Sequence, residues 1–489
     1  MSGSQYTARK SVADIVASGE AGEHKLTKSL GAFSITALGV GAIIGAGIFV
    51  LTGSAAARYA GPGVMLSFVL AGLACAFVGL CYAELSALIP VSGSSYTYSY
   101  ATLGELTAWI IGWDLVLEYA MGSATVAVGW SGYLVSLLGQ FGVHLPPELV
   151  NAPGLVTLAD GSTVQALFNV PAAAIVLLIT MMLVLGTKES ARLNNLMVVI
   201  KLVVVLAFIG FGIGMVNLDN WVPFVPENTG TFGEFGVSGV LRASSVVFFA
   251  FIGFDAVSTA AQEARNPQRD MPLGILGSLL VCTLLYVAVA AVLTGLVPYQ
   301  KLGVPDPIAV GVEAIGKPWL SLLIKFGALA GLTTVILVLL YGQSRIFFTI
   351  ARDGLLPPVF SRVHKSTGTP HLSLIIVGIL VSLAAGLMPI HLLGEMVSIG
   401  TLFAFILVCG AVLYLRRAES EVFRPFRVPG VPIIPVVGIA LCLLLMAGLP
   451  MDTWIRLFVW LAIGLVIYFG YGRHHSTLGK RMRAAGKTK

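Results

Sequence analysis

Charged residues are scarce in this chain: aspartate, glutamate, lysine and arginine make up 11% of its 489 residues. Soluble globular proteins carry about 25%. Hydrophobic residues reach 57%, and apolar runs recur along nearly the whole length, which leaves no stretch for a separate soluble domain. The sequence therefore predicts a polytopic membrane protein.

Groups that carry chemistry are also missing. The sequence has no phosphate-binding loop, nucleotide motif or catalytic triad, which argues against a pump or an enzyme. The net charge of +6 comes from short loops and tails, which is a pattern of membrane topology rather than of nucleic-acid binding. We expect no cofactor, no metal and no nucleic-acid partner. The five cysteines lie in apolar runs without metal-ligand spacing: Cys75, Cys81, Cys282, Cys409 and Cys442.

Apolar runs long enough to cross a bilayer are what the chain does contain. A transmembrane helix needs about 20 apolar residues. By this criterion the sequence predicts an all-α protein with twelve spans: 33–58, 62–89, 105–138, 169–187, 193–216, 238–260, 273–297, 319–350, 372–388, 392–415, 432–449 and 453–472.

Positive charge is distributed unevenly between the loops. The tails 1–30 and 473–489 and the loops after spans four, six, eight and ten contain lysine or arginine, whereas loops 140–168 and 217–237 contain neither. Because positive loops stay in the cytoplasm, both termini are predicted to be cytoplasmic.

The first span contains an anomalous stretch, GVGAIIGAGIFVLTG at 39–53, with five glycines in fifteen residues. Each glycine costs a helix about 1 kcal/mol relative to alanine. Backbone that leaves a helix inside a membrane needs other polar partners. The stretch is therefore either a helix-packing face or a break that lines a cavity, and the break is predicted at Gly45–Gly47.

The sixth span is anomalous too. It reads FFAFIGFDAVSTAA at 248–261, with Gly253 followed by the ionisable Asp255. Interrupted helices at positions one and six match the pattern of two inverted five-helix repeats around a site near the membrane midplane. We predict repeat one at 31–216, repeat two at 235–416, and two additional spans at 432–472.

Four motifs resemble those of one family: GAIIGAGIFVLTG at 41–53, PVSGSSYTYSY at 90–100, FFAFIGFDAVST at 248–259 and EARNPQRDMP at 263–272. They are similar to the amino acid–polyamine–organocation superfamily, and within it to bacterial relatives of the cationic amino acid transporters. The resemblance implies the leucine-transporter fold with helices one and six discontinuous.

A free amino acid presents a carboxylate and an ammonium, and a broken helix offers groups that match both. The N–H groups at a helix start suit the carboxylate, and the carbonyls at a helix end suit the ammonium. On this basis, and by the family pattern, the predicted carboxylate donors are the amides of Gly45, Ala46 and Gly47. The predicted ammonium acceptors are the carbonyls of Ile43, Phe249, Ala250 and Ile252. The alternative is that the glycines serve only close helix packing.

Other side chains of the sixth span receive predicted roles of their own. Phe249 and Phe251 are candidates to close over the ligand side chain, with ordinary packing as the alternative. Asp255 is predicted to cap the half-helix that follows Gly253, in preference to a ligand contact.

Span three carries Asp114 and Glu118, four residues apart on one helix face. An ionisable group at membrane depth is a functional candidate by default, and loss of water favours the protonated carboxyl group. Glu118 is the predicted proton carrier. For Asp114 a structural, helix-tethering role is the alternative.

Lys201 lies within span five, where the alternative to a functional role is that its side chain reaches the cytoplasmic interface. Some proton-coupled relatives place a lysine where sodium-coupled relatives hold the ion. The resemblance thus implies that protonated Lys201 bonds carbonyls of the broken first helix. Thr333 and Thr334 of span eight are predicted hydroxyl neighbours of Lys201.

Together these observations predict a proton-coupled symporter of L-amino acids in the plasma membrane that works by alternating access and is monomeric. The alternatives are a sodium-coupled symporter or an amino acid exchanger of the same fold, and a nutrient receptor without net transport. A cationic side chain would need an acidic partner in the pocket, and Glu118 is the evident candidate. Because Glu118 is the predicted proton carrier, broad or neutral substrates are favoured over cationic ones.

Overall fold

The computed structural model describes residues 8–10, 30–89, 94–157, 162–185, 191–258, 264–362, 364, 369–418 and 422–484. Most of the tail 1–30 lies outside the described residues, as do residues 90–93, Thr259 and Glu263 of the family-like motifs. The α-helices are, in chain order, α1 Ala32–Ile43, α2 Thr52–Ala55, α3 Val64–Leu88, α4 Ser94–Thr102, α5 Glu105–Gln140, α6 Val170–Val184, α7 Ala191–Gly212, α8 Gly236–Val247, α9 Phe254–Val257, α10 Pro267–Leu296, α11 Pro307–Ala314, α12 Pro318–Arg352, α13 His371–Leu387, α14 Ile390–Ala418, α15 Ile433–Ala447, α16 Met451–Ile467, α17 Arg473–His475 and α18 Thr477–Ala484.

Many of these helices are suited to a bilayer. In the described part of the chain, seven helical segments are long and apolar enough to cross a membrane: Gly47–Leu88, Glu105–Gln140, Leu196–Met215, Pro267–Leu296, Pro318–Arg352, Ile390–Ala418 and Met451–His475. Shorter apolar helices are Ala32–Ile43, Val170–Val184, Gly236–Phe251, His371–Leu387 and Ile433–Ala447. Each predicted span overlaps one of these segments, while the count of twelve crossings stays a prediction.

The first predicted span is interrupted. Helix α1 ends at Ile43, and Ile44 has an extended backbone with φ −70° and ψ 107°. Helical structure resumes as a wide π-helical turn at Gly47–Leu51. The break therefore centres on 44–46, one residue before the predicted position.

The sixth predicted span is interrupted as well. Helix α8 passes into a tight 3₁₀ turn at Phe248–Phe251, and Ile252 is extended with φ −60° and ψ 138°. Gly253 then takes a φ of 111°, a conformation that favours glycine. Helix α9 begins directly afterwards, so the predicted interruption at Gly253 is present.

A small β-hairpin corrects the all-α expectation. Strands β1 Gly154–Thr157 and β2 Thr163–Ala166 pair antiparallel, with Val156 opposite Val164. They lie in the loop 140–168, where each strand contains an adjacent valine and threonine, two β-branched residues that favour strands. Each strand has only four residues, too few to form an apolar run that would be recognised in the sequence.

Glycines on either side of the first break let other elements approach closely. A Cβ atom at Gly41 would lie 2.4 Å from Val198 of α7, and one at Gly53 would lie 2.2 Å from Pro307 of α11. Both distances are shorter than real carbon contacts, so neither position has room for alanine. These two glycines pack the broken helix against its neighbours.

Candidate substrate and coupling site

The two helix breaks lie directly against each other. A Cβ atom at Gly47 would lie 2.2 Å from the Cα of Ala250, and one at Gly253 would lie 2.8 Å from the carbonyl oxygen of Ala42. Each break thus needs a glycine where it meets the backbone of the other. This contact brings the predicted carboxylate-binding amides and the predicted ammonium acceptors to one place.

The carbonyl end of α1 is bound by Lys201. Because the helix stops at Ile43, its last carbonyls lack helical partners. The Nζ of Lys201 donates to the carbonyl oxygens of Gly41 at 3.0 Å and Ile44 at 3.2 Å. Lys201 is 3% exposed, so it does not extend to an aqueous interface. The predicted contact between this lysine and the broken first helix is present, and its role in coupling stays a prediction.

Tyr286 of α10 joins the two breaks and was not singled out from the sequence. Its hydroxyl lies 2.9 Å from the carbonyl oxygen of Ile43 and 2.7 Å from that of Ala250. These are two of the four predicted ammonium acceptors; in this structure the tyrosine hydroxyl lies against them, and their role toward a ligand stays a prediction. A polar hydroxyl within an apolar span was the available signal, since a buried tyrosine O–H needs a partner.

The other two predicted acceptors, the carbonyls of Phe249 and Ile252, lie in different backbone surroundings. The carbonyl of Phe249 accepts the N–H of Ile252 at 3.1 Å, which closes the 3₁₀ turn. Ile252 itself is half-buried, next to the extended residues of the break. The site therefore offers backbone groups in the predicted region, with a hydrogen-bond arrangement that the sequence did not reveal.

The two phenylalanines of the sixth span have different surroundings. Phe251 is fully buried, with ring centroids 5.3 Å from Tyr286 and 6.5 Å from Phe68. This aromatic cluster favours the packing alternative for Phe251. Phe249 is 7% exposed and is the better placed of the two for a closing movement.

Asp255 bonds to the backbone of its own break. Its Oδ1 accepts the N–H of Gly253 at 3.2 Å. The bond ties Gly253 to the first turn of α9, and because Asp255 is the second residue of that helix, it does so from inside the helix rather than from the predicted N-cap position. Asp255 is 2% exposed.

The two carboxyl groups of α5 face different neighbours. Glu118 is buried, and its carboxyl group interacts with the hydroxyl of Thr401 and electrostatically with Asp255 of the second break. Asp114 lies one turn away against Gly400, where an added Cβ would lie 2.8 Å from its Oδ1. Among the described residues, neither carboxyl oxygen of Asp114 has a hydrogen-bond partner.

The predicted threonine neighbours of Lys201 do not bond to it. Thr333 accepts from the indole Nε1 of Trp130 at 3.0 Å, and Thr334 donates to the carbonyl of Gly331 at 2.7 Å. Helix α12 approaches the lysine at Gly331, where an added Cβ would lie 2.7 Å from Lys201 Cγ. A hydrogen bond from either threonine to Lys201 is thus absent among the described residues, and their role beside the lysine stays a prediction.

A separate cavity of about 490 Å³ lies at the end of the bundle that includes loop 217–237. The guanidinium of Arg242 on α8 pairs there with Glu395 on α14 at 3.1 Å. Thr453 of α16 also donates to Glu395, at 2.8 Å. This ion pair ties the half-helix before the second break to two other helices. The cavity is lined by Arg58, Tyr59, Glu234, Arg242, His391, Leu392, Glu395, Pro450, Asp452 and Arg456.

The apolar helices, two of which are interrupted and in contact, are those of a multi-pass membrane protein. Comparison with known proteins identifies the class as a transporter. A profile of the family described as amino acid permease matches residues 30–469. The chain belongs to this family, within the amino acid–polyamine–organocation superfamily. The family and the names of the relatives indicate a transporter rather than an enzyme.

Two relatives from Bacillus subtilis (strain 168) are similar over almost their full length. The branched-chain amino acid permease BcaP is 49% identical over 481 residues, covering 98% of this chain and 100% of the relative. The methylthioribose transporter is 48% identical over 455 residues, covering 93% and 95%. The chloroplastic cationic amino acid transporter 9 of Arabidopsis thaliana is 37% identical over 522 residues, covering 92% and 89%.

Proposed function

We propose that this protein is a proton-coupled symporter of L-amino acids that works by alternating access in the plasma membrane. The observation that carries the proposal is the direct contact of the two helix breaks, with the Lys201 amine bonded to the first of them. The coupling ion in this proposal is the proton.

The proposed fold has twelve spans in two inverted repeats of the leucine-transporter type, with both termini in the cytoplasm and a monomer as the working unit. The overlap of every predicted span with an apolar helix supports the count. The interruptions after Ile43 and at Gly253 support the repeats, because they fall in the first helix of each five-helix block.

The substrate's shared backbone is proposed to bind between the breaks. The N–H groups at the start of the helix that resumes at Gly47 have no partners within that helix and suit a carboxylate. The carbonyls of Ile43 and Ala250 suit the ammonium. The ammonium would compete with the Tyr286 hydroxyl, whose single O–H lies within hydrogen-bond distance of both oxygens, whereas an ammonium can donate to both at once.

Lys201 is proposed to link transport to protons. A protonated amine forms charge-assisted hydrogen bonds, which are stronger than neutral ones. Loss of the proton would weaken the bonds to Gly41 and Ile44 and so loosen the first broken helix. Glu118, near Asp255 of the second break, is proposed as the proton carrier.

The proposed side-chain preference is for apolar amino acids. BcaP, a relative at 49% identity, is named as a branched-chain amino acid permease. A relative at 48% is named as a methylthioribose transporter, so overall identity alone does not determine the substrate. The side chains of Ile43, Phe249 and Ile252 at the breaks are apolar, which supports this preference.

The test is uptake into proteoliposomes of the purified protein, with labelled leucine, alanine and arginine under an imposed proton or sodium gradient. We expect leucine uptake that follows the proton gradient. Uptake driven only by sodium would refute proton coupling, and uptake that requires internal amino acid without either gradient would identify an exchanger. Absence of uptake together with specific amino acid binding would favour the receptor alternative.

A lysine pair sharpens the test of coupling. Lys201→Met is expected to abolish the dependence of uptake on the proton gradient. Lys325→Met is the matched control, because Lys325 is also fully buried but bonds to Glu313 at 2.6 Å rather than to a helix break. Lys201→Met uptake with an unchanged proton dependence would remove the proposed role of this lysine.

A further inference from the structure

The C-terminal helix α18 presents a one-sided basic surface. It follows the apolar helical segment Met451–His475 after a single residue, Ser476. The basic side chains of this region are exposed, while Leu478 and Met482 are half-buried and Gly479 is buried. The exposed basic group comprises Arg473, His474, His475, Lys480, Arg481 and Arg483.

The inner side of α18 is anchored to the protein. Ser476 donates to the buried carboxylate of Glu105, and its Oγ accepts the N–H of Gly479 at 3.0 Å. Thr477 donates its N–H to the carbonyl of Asp353 at 2.9 Å. These bonds fix the helix beside the end of α12, so its basic side chains have a defined outward direction.

Three basic side chains of α18 itself, those of Lys480, Arg481 and Arg483, lack acidic partners within the part of the chain that the structure describes. The stretch 453–489 contains no aspartate or glutamate. Among the described residues, Lys480, Arg481 and Arg483 form no ion pair, although Arg483 donates to the carbonyl of His474 at 3.2 Å. The charge of this surface is therefore available to a partner outside the chain.

We propose that α18 binds the headgroups of anionic phospholipids. The partner must be negatively charged and must lie at the level where the last apolar helix leaves the bilayer, and a lipid headgroup meets both conditions. Basic clusters directly beside a membrane-spanning helix are attracted to anionic lipids by about fivefold in affinity for each lysine or arginine.

Lipid binding at α18 has a structural consequence. The hydrogen bonds of Ser476 and Thr477 reach Glu105 at the start of α5 and Asp353 at the end of α12. Lys10 of the N-terminal segment donates to the same aspartate at 2.5 Å. A ligand that binds only the folded arrangement stabilises it, so bound lipid is expected to raise the thermal stability of the whole protein.

The experiment titrates the purified full-length protein in detergent with phosphatidylglycerol and records the midpoint of thermal unfolding. Phosphatidylcholine is the neutral lipid control, and inorganic phosphate is the free anion. The variant Lys480→Gln/Arg481→Gln removes two exposed charges. The matched control Lys301→Gln/Lys317→Gln removes two exposed lysines near the other end of α12, about 50 Å along that helix.

Phosphatidylglycerol is expected to raise the unfolding midpoint of the wild type and of the control variant at similar concentrations. The α18 variant is expected to need about 30-fold more lipid for the same rise, at about fivefold per charge. Equal responses of all three proteins, or an equal response of the wild type to phosphatidylcholine or to phosphate, would overturn the proposal.

Discussion

The hydroxyl of Tyr286 joins the two helix breaks, and Tyr286→Phe removes that hydroxyl and nothing else. The single O–H of Tyr286 lies within hydrogen-bond distance of two buried carbonyls, those of Ile43 and Ala250, and donates to one of them at a time, so the variant leaves one more carbonyl without a donor. A buried acceptor left without a hydrogen bond costs about 1–3 kcal/mol. We therefore expect the substrate-free variant to be less stable than the wild type by about this amount.

The affinity for substrate should rise in this variant, although its stability falls. If the ammonium takes the same two carbonyls, the wild type must give up the hydrogen bond donated by Tyr286 on binding, whereas the variant has none to lose. An advantage of about 1–2 kcal/mol corresponds to affinity about five- to thirtyfold tighter for Tyr286→Phe. The measurement is equilibrium binding of labelled leucine and alanine to the purified proteins.

Tyr133→Phe is the matched control for this prediction. The Tyr133 hydroxyl is also buried and donates to a backbone carbonyl of the broken first helix, that of Phe49, at 2.7 Å. Phe49 is not a predicted ligand contact, so the control should lose stability without gaining affinity. Unchanged or weaker binding by Tyr286→Phe would refute the placement of the ammonium at these carbonyls.

Three further substitutions test the packing and charge of the bundle. Gly47→Ala should abolish uptake, because the added Cβ would lie 2.2 Å from backbone, whereas Gly410→Ala, with nothing within 4 Å, should retain it. Asp114→Asn should change the free energy of unfolding by less than about 1 kcal/mol, since an unpartnered buried carboxyl group is expected to be uncharged; a large loss of stability would show that the charge is required. Arg242→Met should cost about 3–5 kcal/mol by leaving Glu395 buried without its cation, and the double variant with Glu395→Met should recover part of that loss in the same unfolding assay.

The helix interruptions could be predicted because their signal is local. Glycine within an apolar run marks backbone that cannot remain an ordinary helix, and both breaks fall within a residue or two of Gly45 and Gly253. The contact of Lys201 with the first break was also predictable, since a buried amine needs acceptors and the broken helix has free carbonyls. The family resemblance indicated that Lys201, rather than a sodium ion, would contact the broken first helix.

The side of a helix that faces its neighbour was less predictable. An apolar run shows that a segment crosses the membrane, but not which residues turn inward, because lipid and protein interior are equally apolar. Thr333 was therefore assigned to Lys201 although it faces Trp130, and Tyr286 was overlooked although it lies between the breaks. The hairpin of β1 and β2 was missed for a different reason, since four-residue strands leave only a weak periodic signal.

The arrangement at the end of α1 suggests why proton and substrate binding would be linked. Lys201 bonds the carbonyls of Gly41 and Ile44, and the proposed ammonium site uses the carbonyl of Ile43 between them. The protonated Lys201 amine and the substrate ammonium would act on one short stretch of backbone. Binding of the proton is therefore expected to alter the protein's affinity for the substrate, and binding of the substrate its affinity for the proton. Linkage makes this effect reciprocal. The factor by which protonation of Lys201 changes substrate affinity should equal the factor by which substrate changes proton affinity. Leucine binding measured across pH should show this dependence in the wild type and lose it in Lys201→Met.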